Sequence, residues 1–417
     1  MSKSDDISSR LRRAEWLMRP ETQRLMALLD GGSGRTRAVG GIVRDTILDL
    51  PRQAADIDLA TELLPAEVMV RAEKAGVAVY PTGIEHGTVT LRLDALVAEV
   101  TTLRRDVETD GRRAVVQFGR DWVRDAERRD FTLNALYAGM EGNLFDPLGG
   151  LEDCLNRRVR FIGKPATRIA EDRLRVYRFF RFSASHAGES FDRDGLMACK
   201  AAAGTLGNLA AERVGSEVRR MLALPRVANT LKAMISAGVL SLPGTLPMLL
   251  HTYERHARRP DYPARLALLL SGMGAEELRE LWRLSNDDLR TAEAILTVAR
   301  LLRDYKLHEA AYRHPAALGD GVEVAAVLAD WGEAGKLAVR EQLQDIDVPQ
   351  FPVGGADLLG IGMKPGRLVG LELERLEAAW IESGFALDRA ALLELVEGRV
   401  GSVAQATEPP AGSNQET

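Results

Sequence analysis

Near residue 150 the hydrophobic pattern of this 417-residue chain changes period, and no other feature limits its fold as much. Before that point, "TRAVGG" (36–41), "ADIDLAT" (55–61), "GVAVYP" (76–81), "GTVTLRL" (87–93) and "LVAEVTTL" (96–103) alternate as strands do. "PETQRLMALLD" (20–30) and about 42–50 read as helices, the first stopped by the glycines of "GGSG" (31–34). After it, "RIAEDRLRVYRFFRFSASHA" (168–187), "AERVGSEVRRMLAL" (211–224) and "PARLALLLSGMGAEELRELWRLS" (263–285) carry helical spacing. Strands gathered at one end and helices at the other predict an α+β protein: a small mixed β-sheet first, then an all-helical remainder to about residue 400. The final "VAQATEPPAGSNQET" (403–417) reads as a disordered tail.

Composition excludes several classes. The net charge of -5 names no partner, but residues 151–225 hold 14 Lys and Arg against 9 Asp and Glu, in an otherwise acidic chain. That block suits a localised polyanion site and equally a solvated helical face. Two cysteines, Cys154 and Cys199, make neither a zinc tetrad nor a disulfide framework, which points to a reducing compartment. No apolar run is long enough to span a bilayer, and "MSKSDDISSR" is no secretion signal, so a cytoplasmic protein without a membrane partner is expected.

The chemistry concentrates in "AVGGIVRDTILDLPRQAADIDLAT" (38–61). Gly40 and Gly41 end a strand and open a helix bearing Arg44, an arrangement whose backbone N–H groups can cradle a phosphate. Arg44 adds a charge-assisted donor. Asp56 and Asp58, two apart on a strand, share a face, and a divalent cation such as Mg²⁺ relieves their repulsion. Taken alone, D-x-D is also an ordinary pair at a strand end. Neither a P-loop nor a dinucleotide fingerprint is present.

In "EDRLRVYRFFR", Asp172, Arg175, Arg178 and Arg181 recur every three residues and are expected to share one helix face. An Asp accepts and an Arg donates. Together they match the amino donor beside a ring-nitrogen acceptor that cytosine and adenine present; uracil and guanine present the inverse. The same stripe is also compatible with a solvated basic face.

The run G-G-x-V-R-D, then D-x-D, resembles the head of the class II tRNA nucleotidyltransferases (CCA-adding enzymes) and their poly(A) polymerase relatives. The resemblance continues in order through "AEVTTLRRDVETDGR" (98–112), "RRDFTLNAL" (128–136), "FDPLGGLEDCLNRRVRFIG" (145–163), "RIAEDRLRVYRFFRFSA" (168–184) and "AAERVGSEVRRML" (210–222). It implies a catalytic head (1–150), a nucleotide-selecting helical neck (151–225), a tRNA-binding body and tail (226–400) and a terminal segment (401–417). It implies Asp56, Asp58 and Glu99 as catalytic carboxylates, with metal on Asp56 and Asp58. Gly41, Arg44, Arg129, Asp130, Asp172, Arg175, Arg178 and Arg181 would bind the nucleotide. Residues 104–120 match the family's flexible loop, which helps switch the pocket from C to A, and "FDPLGGLED" matches a hinge between head and neck. The expected activity is untemplated addition of CCA to the tRNA 3′ end from CTP and ATP, with pyrophosphate released through two-metal transfer.

Two alternatives stay open on sequence. A poly(A) polymerase shares this head, but such relatives carry a basic-aromatic stretch ending in His where this chain has "TGIEHGTVTL". A non-catalytic RNA-binding protein would be expected to lack one of the three carboxylates. "AERVGSEVRRML" places Val214, Val218 and Leu222 on a packing stripe. The glycines and Pro365 ahead of the helix near 367–380 suit either an RNA-phosphate grip or a plain turn.

Overall fold

The computed structural model describes residues 3–51, 56–110 and 113–396; the expected terminal segment lies outside them. The chain divides into two compact units, Met1–Pro247 with Glu280–Arg283, and Met248–Arg279 with Leu284–Thr417.

The first unit opens with helices α1 (Lys3–Arg12), α2 (Glu15–Met18) and α3 (Pro20–Leu28). Strand β1 (Thr36–Val39) leads into α4 (Gly41–Ile47). Then follow β2 (Ile57–Thr61), α5 (Pro65–Lys74), β3 (Ala78–Gly83), β4 (Thr88–Leu93) and β5 (Leu96–Thr102). Two short strands, β8 (Tyr137–Ala138) and β9 (Leu144–Phe145), come after a hairpin of β6 (Arg104–Asp110) and β7 (Arg113–Phe118) and helix α6 (Trp122–Glu127). The seven-stranded sheet runs in the order β3-β4-β5-β2-β1-β8-β9. Only β2 and β5 pair in parallel, with Ile57 opposite Ala98 and Asp58 opposite Glu99. Alternation explains the register: Ile57, Leu59, Ala98 and Val100 are buried while Asp58 and Glu99 face outward.

Within the segment 104–120, expected as the family's loop, the described residues pair as the antiparallel hairpin β6–β7, from Arg104↔Phe118 to Asp110↔Arg113. A two-stranded ladder satisfies its own backbone groups whatever the side-chain polarity, so weak patterning concealed it. Residues 111 and 112 at its tip lie outside the described residues.

Beyond the sheet come α7 (Gly150–Leu155), α8 (Pro165–Glu171), α9 (Arg175–His186), α10 (Arg193–Ala202), α11 (Ala211–Leu222) and α12 (Ala228–Ser236). Helix α9 buries Val176, Phe179, Phe180 and Ser183. Helix α11 buries Val214, Val218 and Leu222, as their spacing anticipates. Gly215 sits on the same helix because an added Cβ would lie 1.8 Å from the Trp282 carbonyl oxygen.

The second unit is helical. Helices Asn286–Arg303, Leu318–Ala329 and Tyr262–Gly272 pack together, and Trp380 anchors a cluster with Tyr312, Phe351 and Phe385. The glycine-proline stretch near 361–366 joins helices Gly355–Gly360 and Arg367–Glu382 as a turn. No helix among the described residues is long and apolar enough to cross a membrane.

Candidate active site

A cleft of about 850 Å³ in the first unit gathers most of the residues singled out above. Its floor is the turn after β1. Gly40 adopts φ 75°, ψ −128°, a conformation closed to side chains. The turn lets α4 start at Gly41 beside the cleft. Arg44, one turn into α4, is only 6% exposed. Its Nε and Nη2 lie 2.9 and 2.8 Å from Asp45 Oδ1, and Nη1 donates to Asn134 Oδ1 at 2.5 Å.

The acidic edge is set by the parallel register. Asp58 on β2 stands directly opposite Glu99 on β5, and Asp56 immediately precedes β2. Burial, then the charges of Asp58 and Asp56, push the Glu99 carboxyl above the usual carboxylate range. Asp58 lines the cleft; Asp56 and Glu99 stand beside it. Among the described residues no three His, Cys, Asp or Glu side chains form a ready-made cage for a metal ion. Closely spaced carboxylate oxygens are nevertheless the hard donor set a divalent cation prefers, with remaining ligands from water and substrate phosphate. The site residues thus fit such an ion.

The opposite wall is α9 and the turn before it. The expected single helix face from Asp172 to Arg181 is not what forms. Helix α8 stops at Glu171, and Asp172 is extended, with φ −147° and ψ 106°. The cause is local capture: Asp172 Oδ1 accepts the Leu174 N–H at 3.0 Å, and Oδ2 accepts Arg213 Nη2 at 3.0 Å. Asp172 still lines the cleft, held by a turn rather than a helix. Arg175 Nη1 donates to Glu171 Oε2 at 2.6 Å and to the Arg168 carbonyl at 2.8 Å. Arg178 Nε donates to Asp130 Oδ2 at 2.7 Å. Asp130 also accepts from Asn134 Nδ2 and from the Phe131 N–H. It is buried, which alone would raise its pKa; Arg178 and these donors outweigh burial and hold it low. Arg129 is tied to Tyr137 Oη and Asp125.

Residues 36–160 match the poly(A) polymerase head domain. The zebrafish (Danio rerio) mitochondrial CCA tRNA nucleotidyltransferase 1 is 32% identical over 371 residues, 86% of each chain. This chain belongs to the CCA tRNA nucleotidyltransferases. A CCA-adding enzyme of Streptococcus pyogenes is 30% identical over 82% of this chain and 88% of its own. Among solved structures, the Bacillus stearothermophilus CCA-adding enzyme in complex with CTP aligns with a TM-score of 0.76 and 26% identity, covering 92% of this chain and all of that one. The Thermotoga maritima CCA-adding enzyme shares the fold, with a TM-score of 0.64 at 17% identity over 94% of this chain and 98% of its own. The protein is a tRNA-processing nucleotidyltransferase.

In this nucleotidyltransferase several residues in or against the cleft escaped sequence reasoning, Asp45, Asn134, Phe182, His186 and Arg213 in its lining and Glu217 behind it. Glu217, 4% exposed on α11, accepts Arg181 Nε at 2.5 Å and lies 3.8 Å from Arg178 Nη1. Arg213, one turn earlier, engages Asp172. Both sat in a stretch whose packing stripe drew the attention; an acid four residues after an arginine was the available signal. The Phe182 ring lies under three guanidinium groups, those of Arg44, Arg178 and Arg181, at 5.3, 5.4 and 4.3 Å. His186, one of six histidines in the chain, lines the cleft at the end of α9.

Proposed function

We propose that the cleft holds CTP or ATP with its triphosphate against the Gly40–Gly41 turn and Arg44, and its base toward Asp172 and Arg175. Asp56 and Asp58 would hold Mg²⁺, which when bound lowers the pKa of the attacking hydroxyl and steadies the pyrophosphate. The chain's own groups then position the reactants. The tRNA 3′ hydroxyl gives its proton to a carboxylate of the acidic edge, Glu99, and attacks the α-phosphorus; the new O–P bond forms as the bond to the pyrophosphate oxygen breaks. Arg44, Arg178 and Arg181 offset charge on the departing phosphates. Arg129 and Asp130 serve phosphate and ribose. C and A are chosen because Asp172 accepts and arginine donates; uracil or guanine would leave those groups unpaired.

The reading carries the division into a head (1–150), a neck (151–225) and a body with tail (226–400) that holds tRNA through backbone and shape. It places the reaction in the cytoplasm, in keeping with the free, buried Cys154 and Cys199. One observation supports the chemistry above all: Asp58 and Glu99 stand in register beside a cleft walled with arginines.

The test is incorporation into tRNA lacking its terminal triplet, with CTP alone, ATP alone and both. C-C-A supports the reading, and long A tracts overturn it. Asp58→Ala with undiminished incorporation would refute the metal assignment.

A further inference from the structure

His186, the last residue of α9, takes no part in the mechanism above. It is 8% exposed. Its ring lies 5.6 Å from that of Phe182, its Nδ1 is 2.6 Å from Ser185 Oγ, and its Nε2 is 3.3 Å from Asp45 Oδ1. One tautomer satisfies both polar contacts: Nε2–H donates to Asp45, and Nδ1 accepts the Ser185 hydroxyl. Burial lowers the imidazole pKa, outweighs the hydrogen bond to Asp45 and so favours that neutral form.

Asp45 Oδ1 is the same atom that receives Nε and Nη2 of Arg44. The guanidinium is thus aimed by a carboxylate oxygen that also bonds His186 on α9. Asn134 fixes Nη1, and the Phe182 ring lies 5.3 Å beneath. Arg44 has five N–H donors, and these three bonds leave two for an anion in the cleft. Asp45 itself lines the cleft, and without His186 its carboxylate loses a donor that offsets its charge beside a triphosphate.

We propose that His186 is a positioning residue for nucleotide binding: acting through Asp45, it fixes Arg44 toward the triphosphate and ties that corner to the base-facing helix. The inference rests on the reading of Arg44 as a phosphate ligand, and the experiment separates the two. CTP with Mg²⁺, without tRNA, is titrated calorimetrically into wild type, Arg44→Ala, His186→Leu and His186→Gln. Steady-state incorporation then gives kcat and the KM for CTP, ATP and tRNA. Leu removes the donor, whereas Gln carries an N–H at the place of Nε2. His186→Leu is expected to weaken CTP and ATP by about three- to tenfold, the scale of one charge-assisted hydrogen bond acting indirectly. The tRNA KM and kcat stay near wild type, and His186→Gln recovers most of the loss. Wild-type affinity in His186→Leu overturns the proposal, as does equal impairment of Leu and Gln, which would mean that the ring only fills space. Unchanged affinity in Arg44→Ala instead sinks the site reading beneath it. If His186→Leu does not fold, Gln is compared with the shorter His186→Asn, and equal affinity of that pair overturns the proposal.

Discussion

Glu99→Gln is expected to stabilise the metal-free protein while nearly abolishing nucleotide transfer. Asp58 and Glu99 are directly opposite on paired parallel strands, roughly 4.8 Å apart. Two unit charges at that distance repel by about 1 kcal/mol in water and about 2 kcal/mol at half that dielectric constant. Partial exposure keeps the value near the lower figure, with Asp56 adding to it. A neutral amide keeps the shape and removes the repulsion, so the chelated variant should melt about 2–4 °C above the chelated wild type. The pH dependence follows from the same charges. Folded Glu99 holds its proton to higher pH than the unfolded chain does, because burial and its two acidic neighbours raise its pKa. The folded state therefore binds more protons in that window, and stability falls as pH rises from the normal carboxylate range through the raised value. The variant should lack that fall. Added Mg²⁺ should raise the wild-type melting temperature by mass action and the variant's much less. Thermal scans with EDTA and with millimolar Mg²⁺, beside an incorporation assay, read both effects. A chelated variant less stable than wild type, or equal Mg²⁺-induced shifts, would refute the assignment of these carboxylates to one charge cluster.

Other positions give separate tests. Gly150→Ala places a Cβ 2.2 Å from the Thr132 carbonyl oxygen, so urea unfolding should show a loss of about 2 kcal/mol or more. Arg178→Ala strips Asp130 of its closest cation; since that pairing holds the carboxyl low, the acid limb of the pH–rate profile should move to higher pH. Asp172→Ala should erode rejection of UTP and GTP by about tenfold or more, read by sequencing the added nucleotides.

How much was legible depended on the range of the interaction. The strands of the sheet core showed because alternation is a local signal: β5 alternates along its whole length, while β2 alternates only through Leu59 and is then buried on both faces. Strands β8 and β9, two residues each, are too short to show a period. The break before α9 was concealed because "RIAEDRLRVYRFF" contains no residue that forbids a helix; what stops it is Asp172 bonding to Leu174 and to Arg213 on α11. Resemblance placed Glu99 in the acidic trio, but only the parallel pairing sets it opposite Asp58.

By itself the sequence determined the kinds of groups available and their local spacing: a glycine turn, carboxylates two apart, arginines three apart, and a switch of period near residue 150. Packing alone decided which of those groups meet. Arg178 finds Asp130 from 48 residues away, Arg181 finds Glu217 from 36, and His186 finds Asp45 from 141. Local spacing reports on backbone geometry within a few residues. An ion pair between distant segments forms only when the sheet and helices have closed around it and excluded water, and no short stretch of sequence encodes that.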